Sequence, residues 1–402
     1  MKIRWLILLN LFSGAAQAQT HLQQGSWRVT LQLNDSTDLP FNMEVYDQYL
    51  DILNAEERIK VDEIHYSGDS VFIKMPLFDA ELRGKFSGQE ITGTFFNYAR
   101  KSKNRIPFRA DYGLGFRFFD KPAKATFDFS GRWEVEFADE DPETKVSVGE
   151  FKQEGNRITG TFLTLTGDYR YMQGDVTGNQ FFLSCFDGSH AFLAHSVLQP
   201  DGTLKGDFFS GQHGYDTWIA KRNEKVKLAN PDSLTFLKPG YDRVDFTFPD
   251  ADSNLVSLSD KKFQDKIVIV QIMGTWCPNC MDETAFLAPF YKKYKDQGVE
   301  IIGLDFERMD EFSKAKQNLQ RLKKRYSIDY TLLYAGSTDA KLRLIAMPML
   351  NRILSFPTTI FIDRNNKVRK IHTGFSGPAT GEHYEKWKND FENLIVKLLK
   401  EE

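Results

Sequence analysis

Two patterns of hydrophobic and polar positions divide the chain. From residue 19 to about residue 225, short runs in which apolar and polar side chains alternate recur between Gly, Asn and Asp turns; residues 27–31 and 71–75 are examples. Alternation with a period of two is typical of strands that bury one face. Residues 49–59 are the one stretch of this half that could hold a short helix. The pattern predicts an all-β domain that forms an antiparallel barrel, a sandwich or a pair of barrel-like sheets.

From about residue 244, apolar runs alternate with longer amphipathic stretches, which is the pattern of a βαβ fold. Residues 221–243 are charged and rich in turn residues, so we place the domain boundary near residue 230. Strands are predicted at 267–273, 299–305, 331–335, 358–363 and 367–372, and helices at 281–297, 310–325, 338–347 and 382–400. The chain is thereby divided into residues 1–18, an all-β domain at 19–228, a linker at 229–243 and an α/β domain at 244–402.

The all-β half contains a weak internal similarity. A Gly-x-Trp sequence that ends at Trp27 recurs at Trp133, and residues 88–95 resemble residues 155–162. Each of these octapeptides is a turn dipeptide followed by a strand, which is the chemistry of a β-hairpin. The spacings between the two kinds of element differ, so either a duplication has diverged or one local device is used twice. A Gly-x-Trp start followed by a meander resembles calycin-type barrels.

The candidate chemistry lies at Cys277 and Cys280, between the predicted strand 267–273 and the predicted helix 281–297. A sulfur at the start of a helix lies near unpaired backbone N–H groups and the positive end of the helix dipole. That environment favours the thiolate and lowers the pKa of Cys277. The two-residue spacer brings Cys280 within bonding distance. We therefore predict dithiol–disulfide chemistry, with Cys277 as the attacking sulfur and Cys280 as the resolving one.

Two further roles for this cysteine pair remain open on the residues alone: a structural disulfide and half of a zinc site. Structural zinc needs a second pair of Cys or His ligands at defined spacing. The third cysteine, Cys185, lies in an apolar alternating run far upstream, where we expect a buried free thiol. Cys185 could be combined with His190 and His195 as metal ligands, but we predict no metal there or elsewhere.

Several stretches of the second half together resemble the thioredoxin superfamily, and more narrowly its exported TlpA/ResA-like thiol–disulfide oxidoreductases. The central ones are Trp-Cys-Pro-Asn-Cys at 276–280 and Phe-Pro-Thr-Thr at 356–359, supported by residues 246–250, 256–260 and 372–377. The resemblance covers about residues 240–402 and does not reach the first half. It implies a thioredoxin fold with a mixed central sheet, an N-terminal extension with a hairpin and an inserted strand–helix segment.

The resemblance also implies a substrate-docking face. Pro357 is expected to be cis and to lie opposite the disulfide, where Phe356 presents its backbone edge to an extended peptide. A cis X–Pro bond is a feature that a fold must hold in place, and proline offers no competing N–H. Trp276 and Pro278 are expected to line the same face, with Trp276 shielding the disulfide.

Glu283 matches an acidic position that the family places near its cysteines. Three residues after Cys280 on a helix, it shares that residue's face. A partly buried carboxylate there would raise the pKa of nearby thiols and could accept the proton of the resolving thiol. The alternative is a solvated glutamate that favours the helix dipole.

The implied reaction is reduction of protein disulfides by thiol–disulfide exchange, with apo-cytochrome c cysteines, damaged envelope thiols or a dedicated partner as substrates. The resemblance implies re-reduction by a membrane electron-transfer protein, and neither a metal nor an organic cofactor. A disulfide-forming oxidant remains an alternative, as does a ligand- or protein-binding β domain with an accessory redox domain. A thiol peroxidase is disfavoured, because Thr275 is not part of a Pro-x-x-x-Thr sequence before Cys277.

Composition adds little about partners, but the N-terminus changes the expected compartment. The chain is 41% apolar and 27% charged with a net charge of −3, which gives no argument for nucleic-acid binding. Residues 1–18 have a basic start, a short apolar core and an Ala-x-Ala end, which predicts a signal peptide cleaved after Ala18. We therefore expect a periplasmic or envelope location, where the cysteine pair stays oxidised unless a donor reduces it.

Overall fold

The computed structural model describes residues 21–138 and 145–401. The predicted signal peptide, residues 1–18, lies outside the described residues. The all-β first half is confirmed: it consists of two nine-stranded antiparallel sheets, and a five-stranded α/β domain follows. No helix in the described part of the chain combines the length and apolar character that crossing a lipid bilayer requires.

The first sheet is a meander that curls back so that its first and last strands pair. Strand β1 pairs with both β2 and β9, and the two edge strands, β4 and β5, are neighbours in sequence. Inward-facing apolar side chains such as Trp27 and Phe41 are fully buried. The strands are β1 Gly25–Asn34, β2 Thr37–Val45, β3 Leu50–Asn54, β4 Glu57–Val61, β5 Ile64–Ser67, β6 Ser70–Lys74, β7 Ala80–Ser87, β8 Glu90–Asn97 and β9 Arg105–Tyr112.

The second sheet closes into a barrel. Its strands follow the order β11-β10-β18-β17-β16-β15-β14-β12-β13, and pairing of β11 with β12 closes the barrel, with the two-residue β13 paired to the end of β12. Buried aromatic side chains, among them Trp133, Phe162 and Trp218, fill its interior. The strands are β10 Gly131–Phe137, β11 Val146–Glu154, β12 Arg157–Thr164, β13 Gly167–Asp168, β14 Met172–Thr177, β15 Gln180–Phe186, β16 Ala191–Leu198, β17 Leu204–Ser210 and β18 Gly214–Arg222.

The internal similarity has two different origins in the structure. Trp27 and Trp133 occupy equivalent places in the first strand of each sheet, and each indole N–H donates to a carbonyl four residues earlier, 2.9 Å away in both cases. The similar octapeptides, however, form the β7–β8 hairpin in one sheet and the β11–β12 hairpin in the other. The Gly-x-Trp starts are therefore equivalent, whereas the hairpins are two uses of one local device.

The short helix considered for residues 49–59 is wrong. This stretch forms β3 and β4, joined by a tight turn in which Ala55 has a φ of 49°. Leu50 and Ile52 are fully buried on the inner face of the sheet. Their period-two burial against neighbouring strands outweighed the helix propensity of the Ala-Glu-Glu sequence at the turn.

A single substitution tests whether the aromatic interior is the core of the second barrel. Trp133 is fully buried, so Trp133→Ala should lower the free energy of unfolding by about 3–5 kcal/mol through lost burial and a cavity. The control is Tyr215→Ala, at a side chain that is 56% exposed, where a change within about 0.5 kcal/mol is expected. Denaturant unfolding followed by circular dichroism measures both; equal effects would contradict this description of the core.

The α/β domain has the expected thioredoxin-like fold, and its mixed sheet has the order β23-β22-β21-β24-β25. Strands β21, β22 and β23 are parallel, while β24 and β25 run antiparallel to their neighbours. The strands are a preceding hairpin of β19 Thr247–Pro249 and β20 Leu255–Ser257, then β21 Ile267–Met273, β22 Val299–Glu307, β23 Thr331–Ser337, β24 Thr358–Ile362 and β25 Val368–Thr373. The helices are α1 Pro278–Tyr294, α2 Phe312–Tyr326, α3 Ala340–Ala346 and α4 Glu382–Lys400.

The predicted elements of this domain differ from the structure mainly at helix ends. Helix α1 begins three residues earlier than predicted, because Pro278 occupies its first position and Cys277 is its N-cap. Helix α3 is shorter than predicted, because the Asp339 carboxylate caps it by accepting N–H bonds. The segment between the halves packs on the α/β domain, where Asp232 pairs with Lys370 and His372.

Candidate active site

Cys277 and Cys280 are joined by a disulfide where β21 passes into α1. As the N-cap residue, Cys277 leads into the helix, and its Sγ accepts the backbone N–H of Cys280 at 3.2 Å. This bond and the positive end of the helix would stabilise a thiolate on Cys277 after reduction. Cys277 is 5% exposed and Cys280 is fully buried, so Cys277 is the more accessible sulfur of the pair.

The cis-proline loop lies against Cys277. The Phe356–Pro357 peptide bond is cis, as the resemblance implied. The carbonyl oxygen of Phe356 is 3.4 Å from the Sγ of Cys277, so this loop and the first cysteine are adjacent. The N–H of Gly374 donates to the Pro357 carbonyl at 3.0 Å and ties the loop to the end of β25.

The Trp276 side chain packs between the cis-proline loop and the carboxyl end of β22. Its ring meets the Phe356 ring edge-to-face at 5.4 Å, and its indole N–H donates to the Phe306 carbonyl at 2.9 Å. The Arg308 guanidinium lies 4.0 Å from the Trp276 ring centroid, within cation–π distance. Trp276 is therefore held in one orientation beside the disulfide.

Glu283 is fully buried, which excludes the solvated alternative. Gln271 on β21 and Thr359 on β24 are paired in the sheet, and both side chains donate to the Glu283 carboxylate, at 2.8 Å and 2.7 Å. The Gln271 amide also donates to the Cys280 carbonyl at 3.3 Å. Burial raises the pKa of Glu283 to about 7 despite the two hydrogen bonds. This carboxyl can therefore change protonation state near neutral pH.

The raised pKa of Glu283 predicts a specific pH dependence of stability. The pKa of Glu283 in the folded protein lies above its ordinary value of 4.5. The protonated carboxyl therefore contributes fully to the free energy of unfolding below about pH 4.5, and this contribution is lost as the pH rises through about 7. The loss amounts to about 3 kcal/mol. Glu283→Gln removes this titration, so stability of the wild type relative to the variant should fall by that amount between pH 4.5 and 7.5. Urea unfolding across this range measures it, and a constant difference would contradict the raised pKa.

A pair of carboxyl groups also lies next to the active-site turn. Asp305 and Glu307 end β22; the Thr275 N–H donates to Asp305 at 3.2 Å, and the Thr275 hydroxyl donates to Glu307. Burial and the neighbouring Glu307 raise the pKa of Asp305 well above its usual range, and burial also raises the pKa of Glu307. This pair was not predicted from the sequence. The available signal was two acidic residues at the carboxyl end of a strand that neighbours the strand leading to the cysteines.

The β half also reaches the site, which the sequence analysis did not predict. Asn279, between the cysteines, donates to the Asp168 carbonyl at 3.2 Å, and Ser189 donates to the Trp276 carbonyl at 2.9 Å. Pro278 is buried. The sequence-predicted residues therefore lie together, but loops of the second barrel cover them.

The remaining cysteine does not join this site. Cys185 is a buried free thiol on β15, as predicted. Burial raises the pKa of Cys185 well above its usual range, which disfavours a reactive thiolate. Among residues 21–138 and 145–401, no group of three His, Cys, Asp or Glu side chains is arranged to hold a metal ion.

Comparison with known proteins locates the similarity in the second half of the chain. Residues 239–386 match the Redoxin family. The chain is 28% identical over 137 residues to the thiol-disulfide oxidoreductase ResA of Halalkalibacterium halodurans, covering 34% of this chain and 69% of that protein. It is 29% identical over 159 residues to ResA of Bacillus subtilis, covering 40% and 76%. A putative thiol:disulfide interchange protein DsbE from Chlorobium tepidum aligns at 23% identity and a TM-score of 0.31, covering 41% of this chain and 99% of that one.

Proposed function

Because residues 239–386 form a redoxin domain of the thioredoxin superfamily, related to thiol–disulfide oxidoreductases, we propose that this protein reduces disulfides of other proteins by exchange through Cys277 and Cys280. The observation that carries the proposal is the position of Cys277. Its sulfur lies at a helix start, accepts the Cys280 N–H and is 3.4 Å from the carbonyl before a cis proline. A buried disulfide with a purely structural role would need none of these features.

The proposed reaction transfers two electrons in two exchange steps. In the reduced protein, the Cys277 thiolate attacks one sulfur of the substrate disulfide, forms a mixed disulfide and releases the other sulfur as a thiolate. Cys280 then loses its proton and attacks the Cys277 sulfur, which releases the second substrate thiolate. The protein ends with the Cys277–Cys280 disulfide, and the substrate gains two thiols when its thiolates take up protons.

The neighbouring residues have distinct proposed roles. Glu283, with its pKa raised to about 7, accepts the Cys280 proton directly or through water. Phe356 and Pro357 present a backbone edge to the substrate, and Trp276 and Pro278 complete the docking face. The exchange takes place between sulfurs alone, so the proposal requires no cofactor.

The proposed setting is outside the cytoplasm. The basic and apolar pattern of residues 1–18 supports export, and an oxidising compartment would keep the cysteine pair closed. Turnover there requires an electron donor, for which we propose a membrane electron-transfer protein. Disulfide-containing envelope proteins, including the cysteines of apo-cytochrome c, are the proposed substrate class.

A single-turnover reaction with a small aromatic disulfide tests the proposed function. Reduced protein carrying Cys185→Ser is freed of reductant and mixed with the disulfide, and the released aromatic thiolate is followed by absorbance. We expect complete oxidation of the Cys277–Cys280 pair, at a rate well above that of reduced glutathione at the same thiol concentration. A rate no faster than glutathione's would contradict the proposal. The Cys185-containing protein should react identically, because Cys185 is buried.

A further inference from the structure

One end of the second barrel covers the face of the α/β domain that carries the disulfide. In an antiparallel meander every second loop lies at the same end, so residues 165–171, between β12 and β14, and residues 187–190, between β15 and β16, emerge together. Both loops contact the active site, 165–171 at Asn279 and 187–190 at Trp276. The halves also meet away from the site, at the Lys314–Asp79 and His383–Glu150 pairs, but these two loops are the ones that reach the cysteine turn.

The loop 165–171 lies against the Cys-x-x-Cys turn and the cis-proline loop. The Asn279 amide donates to the Asp168 carbonyl at 3.2 Å, and the Ser355 hydroxyl, just before the cis proline, donates to the Thr166 carbonyl at 2.5 Å. A Cβ atom at Gly167 would lie 2.5 Å from the Asn279 amide nitrogen. The chain thus passes close over the site because residue 167 has no side chain.

The same loop also contacts residues 374–377, which follow β25 and lie next to the cis-proline loop. The Gly377 N–H donates to the Asp168 carboxylate at 2.7 Å. A Cβ atom at Gly374 would lie 2.8 Å from the Leu165 carbonyl oxygen. The Cys-x-x-Cys turn, the cis-proline loop and residues 374–377 are thus all in contact with one strand-like segment of the chain.

Ion pairs of Arg170 hold loop 165–171 in place. The Arg170 side chain is 6% exposed and forms ion pairs with Glu57 of the first sheet, Asp187 of the second and Asp282 on α1, directly after the cysteine turn. Of these three pairs, the one with Asp282 joins the β half to the α/β domain. Removal of one partner of a buried ion pair is strongly destabilising. Among the ion pairs of the described residues that join the halves, this is the one that ties loop 165–171 to the helix carrying the cysteines.

The covered site conflicts with direct attack on a protein disulfide. Reactive cysteines lie in partially exposed surroundings, whereas Cys277 is 5% exposed. A substrate must contact the Cys277 sulfur, and a peptide lying along the cis-proline loop would meet Thr166 and Asp168, which are hydrogen-bonded to that loop and to the cysteine turn. The contacts of loop 165–171 therefore hold the molecule in a form that excludes large substrates.

We propose that residues 165–171 are a displaceable cover over the surface formed by the Cys-x-x-Cys turn, the cis-proline loop and residues 374–377. This cover is fastened by the Arg170–Asp282 ion pair, and protein substrates react only after the β half has moved off the disulfide. The inference rests on the proposed function and adds its regulation: the β half sets the fraction of molecules that can accept a substrate. A substrate or partner that binds the uncovered form would shift this equilibrium toward activity.

The cover is tested by the access of reagents to the Cys277 thiol rather than by turnover. Reduced protein in a Cys185→Ser background is alkylated at pH 8 with a small maleimide and with the same maleimide on a large polyethylene glycol chain. The ratio of the two rates is independent of the thiolate fraction, so it reports access alone. We expect the ratio of the large-reagent rate to the small-reagent rate to be at least tenfold lower for the protein than for reduced glutathione. Equal ratios for the protein and for glutathione would contradict the proposed cover.

The fastening is tested with Asp282→Asn, which leaves the Arg170 pairs to Glu57 and Asp187 in place. We expect this change to raise the large-to-small rate ratio about tenfold, and Arg170→Met to act in the same direction. The control is Asp390→Asn, which breaks a solvent-exposed pair with Lys386 on α4 and should leave the ratio unchanged. An unchanged ratio in Asp282→Asn would contradict the proposed role of the Arg170–Asp282 ion pair.

Failure of the proposed function would have a different signature. The protein would then show no exchange with small disulfides, while the alkylation ratios would remain measurable.

Discussion

Cys277→Ser should abolish thiol–disulfide exchange and lower the rate of reaction with a small disulfide by about a thousandfold or more. Serine is not a nucleophile toward disulfides at neutral pH, because its hydroxyl stays protonated. The fold should survive, because serine is a favourable N-cap and can accept the Cys280 N–H that Cys277 accepts. Stopped-flow absorbance with an aromatic disulfide measures the loss, and circular dichroism checks that the variant is folded.

Cys280→Ser is the matched control, because it removes the resolving sulfur and keeps the attacking one. We expect this variant to attack the disulfide and then to stop as a mixed disulfide on Cys277, visible as a mass increase of one substrate half. The opposite pattern, with an adduct on Cys280 in Cys277→Ser and no reaction in Cys280→Ser, would contradict the assigned roles. Cys280 is fully buried, which supports the assignment.

Glu283→Gln should slow the resolving step about tenfold to hundredfold at pH 8 and have little effect at pH 6. The carboxylate can accept the Cys280 proton only when it is ionised, and burial raises its pKa to about 7. Loss of the negative charge also lowers the pKa of nearby thiols, which offsets part of the effect. The wild-type profile should therefore contain an inflection near pH 7 that the variant lacks.

The measurement for Glu283 is the decay of the mixed disulfide in single-turnover reactions from pH 5.5 to pH 9. Glu385→Gln is the control, because Glu385 is exposed on α4 and pairs only with Lys388 among the ion pairs of the described residues. Its profile should match that of the wild type. Parallel pH profiles for Glu283→Gln and the wild type would show that Glu283 does not take part in the proton transfer.

Most helices and strands of the α/β domain could be predicted from local sequence patterns. Helix α4 spans the predicted residues 382–400, and β21 spans the predicted 267–273, because a long amphipathic run and a mostly apolar run leave few alternatives. The position of Cys277 near a helix start followed from its place between the apolar run 267–273 and the helical stretch 281–297, although the helix itself begins at Pro278. The cis state of Pro357 came from the family resemblance, since a Phe-Pro sequence alone is compatible with either isomer.

The partners of these residues depend on tertiary contacts that local patterns do not contain. Gln271 and Thr359 both bond to Glu283 because β21 and β24 are neighbours in the sheet, although the two residues are 88 positions apart in sequence. Asn279 and Asp168 are 111 residues apart and belong to different halves. Local patterns divide the chain into two separate halves, so the contact of the β half with the cysteine turn is visible only in the structure.

The reduction potential of the Cys277–Cys280 pair decides whether the protein is a reductase or an oxidant. The protein without residues 1–18 is equilibrated with glutathione or dithiothreitol buffers, and the oxidised fraction is measured by alkylation and mass, with Cys185→Ser as the control. We expect a potential near that of thioredoxin, about −250 mV or lower, for a reductase that depends on a donor. A potential near about −120 mV would identify a disulfide-forming oxidant and contradict the proposed function.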